Sequence, residues 1–279
     1  MSKFIKTGVI GHPISHSKSP IIHKYWMSVH SREGSYETID ITPENLKEGV
    51  QRLIDEGYAG LNVTVPHKRA IMDLCHEIDD LAQKVGAVNM VSIRNGLLYG
   101  SNTDVFGFAE NLKKASQDFG FSWVCENGPA IVLGAGGAAR AVIHGLIKEN
   151  APEIIIANRT PETARELVAI DPAIIRVIPW EERSKHLSQA NLLVNTTSVG
   201  MNDEGDLDMD FSEANEDLLV HDIVYTPLYT KLLKEAREHD LRVLTGIGML
   251  LYQAQPAFEE WHDVFVEVNE QLQNRVLES

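Results

Sequence analysis

Four polar stretches of this chain carry side chains that could do chemistry. Gly11-His12-Pro13-Ile14-Ser15-His16-Ser17-Lys18-Ser19-Pro20 sets three serines, two histidines and a lysine between a strand and a helix start. Several hydroxyls on one loop suit a carboxylate ligand; each alone could equally be a solvated residue or a cap. In Asn62-Val63-Thr64-Val65-Pro66-His67-Lys68, polar and apolar residues alternate until proline ends the strand and delivers Lys68 beyond it. Asn89 lies on a strand after Gly86-Ala87. Asn102-Thr103-Asp104 opens a helix, where an aspartate can be merely a first-turn residue. His16 and His67, flanked by these groups, are of the type that moves protons near neutral pH.

A second kind of chemistry is written in Val132-Leu133-Gly134-Ala135-Gly136-Gly137-Ala138-Ala139-Arg140. It has the form GxGxxA, follows an apolar strand and opens an Ala-rich helix, the setting of a dinucleotide fingerprint. Gly134 permits the tight turn, Gly136 lets a pyrophosphate approach the backbone, and Ala139 packs the helix closely on the strand. The diphosphate would sit on free N–H groups at the helix start. The alternative is a turn with a packing role only. NAD sites usually place Asp or Glu at the end of the next strand. Here that end reads Asn158-Arg159-Thr160, with no carboxylate. Arg159 can pair with a 2′-phosphate as a planar donor, which argues for NADP; otherwise it is a surface arginine on a loop.

The elements that must hold these residues alternate short apolar runs with helical periodicity, an α/β pattern. Strands are predicted over 6–11, 36–41, 60–65, 88–93 and 97–99, the last two joined by an Asn-Gly turn. Ser19-Pro20 opens one helix and Thr42-Pro43 caps and starts another, with Leu46, Val50, Leu53 and Ile54 on one face. Further helices are predicted over 67–75, 80–85 and 103–114. The second series has strands over 130–133, 154–157, 174–178, 192–195, 219–224 and 243–244. Its helices run over 137–149, 161–168 (entered through Thr160) and 231–239, before terminal helices over 249–262 and 267–276. The acidic stretch 202–210 reads as a solvated loop.

Composition bounds the rest. The 279 residues are 43% hydrophobic and 23% charged, an ordinary globular balance of about two domains. No run of apolar residues is long enough to span a bilayer, and the start of the chain lacks a signal-peptide pattern. Two cysteines, Cys75 and Cys125, imply no disulfide framework and no cysteine-based metal site, so the cytoplasm is the expected compartment. Against 40 acidic residues stand 25 basic ones, a net charge of −15, so nucleic acid is not an expected partner.

Taken in order, these stretches closely resemble the shikimate dehydrogenase family. The resemblance rests on Ser15 to Pro20, Asn62 to Lys68, Gly86-Ala87-Val88-Asn89, Asn102-Thr103-Asp104, Gly134 to Arg140 and Asn158-Arg159-Thr160. It continues through Asn195-Thr196-Thr197-Ser198-Val199-Gly200-Met201, Asp222 with Tyr225 and Pro227, and Gly246-Ile247-Gly248-Met249-Leu250 with Gln253. It implies two α/β domains flanking a cleft, the C-terminal one a Rossmann-type dinucleotide-binding domain. Residues 1–104 plus 240–279 would form the substrate-binding catalytic domain and 105–239 the NADP-binding domain. The implied reaction is NADPH-dependent, reversible reduction of 3-dehydroshikimate to shikimate on the route to chorismate and the aromatic amino acids. By motif, Lys68 and Asp104 are the catalytic pair. Ser15, Ser17 and Tyr225 bind the substrate carboxylate, with Thr64 nearby, and Asn89, Asp104, Lys68 and Gln253 meet the ring hydroxyls. NADP(H) falls to Gly134, Ala135, Gly136, Gly137, Ala138, Asn158, Arg159, Thr160, Thr196, Ser198, Ile223, Gly246 and Met249. No metal is implied, and a homodimer is compatible with the resemblance.

One departure bears on the cofactor. Family members often carry a second basic residue four positions after the arginine of Asn-Arg-Thr; here it is Thr163, with Arg165 near. That leaves room for some use of NAD. Two other readings stand beside the first: a broader quinate/shikimate dehydrogenase, and a non-catalytic NADP-sensing module. A sensor would need neither Lys68 nor Asp104.

Overall fold

The computed structural model describes residues 4–120 and 126–279; Cys125 lies outside them. The chain divides into two compact units, Met1–Thr103 with Leu251–Ser279, and Asp104–Leu250.

The first unit begins with β1 (Ile5–Gly11), α1 (Ser19–Val29), β2 (Gly34–Asp40), α2 (Leu46–Asp55) and β3 (Tyr58–Val63). It continues through β4 (Glu77–Ile78), α3 (Asp80–Val85), β5 (Met90–Arg94) and β6 (Leu97–Ser101). The six strands form one sheet in the order β2-β1-β3-β5-β6-β4. β1 runs parallel to β2 and β3, while β5 runs antiparallel to β3 and β6. The β5–β6 hairpin turns on Asn95 and Gly96, both at positive φ (53° and 77°), the geometry an Asn-Gly turn supplies. Leu46, Val50 and Leu53 of α2 are buried and join Ile10, Leu61 and Val91 of the sheet in one core.

The second unit runs α4 (Asp104–Phe119), β7 (Ala130–Leu133), α5 (Gly137–Lys148), β8 (Ile154–Ala157), α6 (Pro161–Val168) and β9 (Ile175–Ile178). Then come β10 (Leu192–Asn195), β11 (Leu219–Asp222), α7 (Lys231–Glu238), β12 (Arg242–Leu244) and α8 (Ile247–Tyr252). Its sheet is wholly parallel, in the order β12-β11-β10-β7-β8-β9. This is a doubly wound sheet whose order reverses between β7 and β10, and such sheets bind ligands outside the carboxyl ends of their strands at that reversal. The central strands β7 and β8 are apolar throughout because both faces are covered. Val132, Ile154, Ile156 and Leu192 feed one core; Ile131, Leu133, Ile155 and Leu193 feed the other.

The chain ends with α9 (Ala254–His262) and α10 (Glu270–Leu277). The expected single helix over 249–262 is thus two helices, α8 and α9. The return to the first unit comes at residue 251 and not at 240, because β12 pairs with β11 and completes the second sheet. Neither Thr42 nor Thr160 makes the side-chain cap expected of it. Among the described residues no helix is long and apolar enough to cross a membrane. No group of three or more His, Cys, Asp or Glu among them could hold a metal ion.

The stretch 202–210 is exposed as expected except at Leu207 and Met209, which turn inward. Leu207, Met209 and Phe211 are buried, and the acids between them face outward, a period-two alternation masked by the charge run. Arg183, itself buried, straps the segment down. Its guanidinium donates to the Leu207 carbonyl (2.7 Å), the Asp208 carbonyl (2.7 Å) and the Trp180 carbonyl (2.8 Å), and lies 4.5 Å from the Trp180 ring centre. Arg183→Ala strands these carbonyls and is expected to cost about 2 kcal/mol in urea unfolding. A loss below about 0.5 kcal/mol would show the strap to be idle.

Three buried imidazoles set an acid limit. His23 stacks on Tyr36 at 4.0 Å, His262 on Phe258 at 4.3 Å, and His221 on Phe108 at 5.6 Å. Burial lowers the pKa of all three: well below 6.5 for His23, to about 4 for His262 and to about 3 for His221. Arg32 adds to the effect on His262. The unfolded chain therefore takes up protons first. Stability is full above about pH 6.5 and falls as pH drops toward the folded values. His262 alone is expected to cost about 2 kcal/mol at pH 5. Thermal melts at pH 7.5 and 5.0 check this; equal midpoints would contradict it.

Candidate functional site

In the first unit, topology gathers the polar stretches at one end of the sheet. β1 and β3 are parallel, so Gly11 and Val63 end together. β5 is antiparallel to β3, so it begins where β3 ends: Asn62 pairs with Met90. β6 then ends beside Met90, at Ser101. Backbone bonds lace the loops. His12 N–H donates to the Val65 carbonyl at 3.0 Å, Thr64 N–H to Ile10 at 3.0 Å, and Val88 N–H to Lys68 at 2.8 Å.

Lys68, half-buried, sits in a turn and not in the helix expected over 67–75. The reason is local. Its carbonyl is taken by Val88 N–H, so no α-helical bond forms from Met72, and only a short 3₁₀ turn follows at Ala70–Leu74. His67 brackets the same turn. It is buried, and its Nε2 lies 2.6 Å from the Ile41 carbonyl, an acceptor, so that nitrogen carries the proton. Its N–H donates to Thr64 and its carbonyl accepts from Ile71. His67 thus shapes the turn, and His16 stays exposed on its loop. Ser15 is exposed, and Ser17 and Thr64 are half-buried. Ser17 Oγ accepts from Ser19 N–H at 3.4 Å.

Asn89 is buried and doubly held. Its Oδ1 accepts from Thr103 N–H at 2.7 Å, and its Nδ2 donates to Thr103 Oγ1 at 2.9 Å. It also reaches Gln253 Oε1 at 3.5 Å, so the fold joins two proposed ligand groups 164 residues apart.

In the second unit, the parallel strands bring Gly134, Asn158, Thr196 and Ile223 to one end. Gly134 has φ +105°, a conformation side chains resist, and a Cβ there would meet Thr196 Oγ1 at 2.8 Å. At Gly136 and Gly137 a Cβ would meet nothing within 4 Å. The first bond of α5 runs from Arg140 N–H to the Gly136 carbonyl, so the N–H groups of Gly137, Ala138 and Ala139 have no helical acceptor. No side chain caps this helix and no acid lies in its first turn. A glycine turn opening on space, with uncapped N–H donors behind it, fits a pyrophosphate. Arg159 is exposed and makes no ion pair among the described residues, whereas Arg165 is paired with Glu162 at 3.2 Å and Arg140 lies 4.0 Å from Glu166. Asn158 Nδ2 donates to the Thr160 carbonyl at 2.8 Å, closing the turn between them. These donors suit the phosphates of a dinucleotide.

Thr196 is turned inward and donates to the Leu133 carbonyl at 2.7 Å; Ser198 is exposed and Met249 is buried in the core. Asp222, fully buried, ties the neighbouring loops together. It accepts from Asn195 Nδ2 at 3.0 Å, Val224 N–H at 3.0 Å and Thr230 Oγ1 at 2.7 Å. Burial pushes its pKa up while the three donors oppose the shift. Asn195 in turn accepts from the N–H and hydroxyl of Thr197. Tyr225 is half-buried and its phenol is pushed up by burial. Asp104 is the first residue of α4.

Comparison with known proteins is consistent across the chain. Residues 9–91 match the model of the shikimate dehydrogenase substrate binding domain, and residues 114–223 match that of shikimate / quinate 5-dehydrogenase. The shikimate dehydrogenase (NADP(+)) of Paramagnetospirillum magneticum is 43% identical over 271 residues, covering 97% of each chain. The chain belongs to the shikimate dehydrogenase family. The enzyme of the same name from Rhodospirillum rubrum is 42% identical, over 97% of this chain and 96% of its own. Among solved structures, shikimate 5-dehydrogenase from Thermus thermophilus, in complex with NADP(H) and shikimate, superposes with a TM-score of 0.86 at 35% identity, covering 98% of each chain.

Within the family's motifs, three residues carry more than the sequence suggested. Thr103 holds Asn89 from two atoms, Asp222 joins two loops, and His67 shapes the Lys68 turn. Their signal was position inside a motif; their partners are distant in sequence and could not be read from it.

Proposed function

We propose that this chain is an NADP-dependent shikimate dehydrogenase, interconverting 3-dehydroshikimate and shikimate on the route to chorismate. The observation that carries the reading is the 43% identity, over 97% of both chains, to a shikimate dehydrogenase (NADP(+)).

The chemistry follows from the residue types. NADPH, when bound, supplies a hydride to the ketone carbon. Negative charge then builds on the ketone oxygen, and a proton donor aimed there stabilises the transition state. Lys68 is that donor: a lysine ammonium, with an aqueous pKa of about 10.4, gives up a proton readily to an alkoxide. Asp104 accepts from a neighbouring ring hydroxyl and complements the ammonium. Ser15, Ser17 and Tyr225 offer neutral hydroxyls to the carboxylate, so a strongly acidic protein need not gather many cations around an anionic ligand. Asn89 and Gln253, linked to each other, orient the remaining hydroxyls. The uncapped start of α5 and Arg159 take the phosphates.

Steady-state rates with shikimate or quinate, each against NADP and NAD, test the reading. Shikimate with NADP is expected to give the highest kcat/KM. Absence of shikimate turnover with either cofactor would overturn the proposal, and preference for quinate with NAD would redirect it.

A further inference from the structure

Behind the proposed substrate groups runs a buried chain of hydrogen bonds that the reaction itself does not use. Its centre is Tyr36 on β2, fully buried, with its ring against His23 at 4.0 Å. The phenol donates to Asn62 Oδ1 at 2.7 Å and has the Ser19 side chain beside it. Asn62 Nδ2 is directed at the Asn89 carbonyl at 3.4 Å, an acceptor that Val63 N–H also meets at 2.8 Å. Asn89 passes the order on to Thr103 and Gln253.

Each link has a direction. The phenol gives its one proton to Asn62, so the Asn62 oxygen must face Tyr36 and its NH₂ must face Asn89. Ser19 closes the loop that carries Ser15 and Ser17; Asn62 precedes Thr64 and the Lys68 turn. One hydroxyl therefore holds Asn62, stands beside Ser19 and, through Asn62, reaches the Asn89 backbone. It has no access to ligand, because it is buried. Cooperative chains of this kind hold side-chain orientation more tightly than isolated pairs.

We propose that Tyr36 is a positioning residue for substrate: its hydroxyl sets the geometry of the Ser15–Ser19 loop, Asn62 and Asn89 from behind. This rests on the proposed function, since it takes those groups as the shikimate contacts. The dinucleotide groups lie in the other unit, on a separate sheet, so the effect is confined to one ligand.

The test is Tyr36→Phe, which keeps the ring and its stacking and removes only the hydroxyl. Shikimate KM is expected to rise about tenfold, with kcat within about twofold and NADP KM unchanged. Asn62→Ala, which removes the acceptor of the phenol, should move shikimate KM the same way and replaces Tyr36→Phe if that variant does not fold. Trp26→Phe is the control: it deletes a half-buried bond of the same unit, Trp26 Nε1 to the Glu267 carbonyl at 3.0 Å. It should lower the melting temperature and leave shikimate KM alone. Wild-type turnover of shikimate is measured first. Its absence overturns the proposed function and this inference with it. Wild-type turnover with shikimate KM unmoved in Tyr36→Phe, or moved equally in Trp26→Phe, overturns the role of Tyr36 alone.

Discussion

Lys68→Ala is expected to lower kcat about a thousandfold while shikimate KM changes less than about threefold. General acid catalysis and stabilisation of a developing oxyanion each contribute about two to three orders of magnitude, and one ammonium would supply both here. The small KM effect follows from the division of labour, because the proposed carboxylate binders are different residues. The turn should survive the change. It is held by the Lys68 carbonyl, accepting from Val88 N–H, and by His67, and neither bond uses the lysine side chain. Lys68→Arg separates charge from proton. Arginine keeps the positive charge but does not give up its proton, so kcat should recover only in small part. Initial rates at saturating NADP and varied shikimate decide the matter. A kcat within tenfold of wild type for Lys68→Ala would remove the lysine from the chemistry.

Arg159→Ala is expected to cut the preference for NADP over NAD, as a ratio of kcat/KM values, by about thirty- to a hundredfold. A charge-assisted pair with a phosphate is worth that much when no second cation shares it. None is well placed to share it. Thr163 stands where the family often has a base, Arg165 is paired with Glu162, and Arg140 leans toward Glu166. NAD kinetics should barely move, since NAD has no 2′-phosphate. The residue is exposed, so salt should raise NADP KM in the wild type and not in the variant. Equal losses with both cofactors would show that Arg159 holds the turn and does not choose the cofactor.

How much could be read beforehand differed between the units. In the second, β7, β8 and β10 fall where their apolar runs predict, because strands buried on both faces need no outside information. The glycine turn is equally local: its residues, its strand and its helix are contiguous. The first unit depends on distant partners. β4 is two residues long and exists only as a neighbour of β6. The 67–75 segment has helical composition, but Val88 takes the Lys68 carbonyl. The alternation of Leu207, Met209 and Phe211 was hidden under the aspartates between them, and its anchor, Arg183, lies 24 residues away from Leu207. Within the candidate site, Lys68, Asn89 and Arg159 were visible through motif, whereas Tyr36 has no local mark. It reads as an ordinary strand aromatic, and only the burial of its hydroxyl against Asn62 distinguishes it.

The split of the first unit has a consequence for how the molecule is made. Residues 104–250 hold every strand of the second sheet in one stretch, so that half can close as soon as it leaves the ribosome. The first-made half must wait. Its sheet lacks α9 until residues past 251 arrive, and α9 brings Trp261, whose indole lies over Gly60 of β3. Gln253 arrives with the same segment. During synthesis, dinucleotide capture can thus precede substrate capture, and the nascent chain carries an uncovered sheet face for the time it takes to make about 150 residues. At elongation rates of roughly 5 to 20 residues per second, that window lasts on the order of ten seconds or longer.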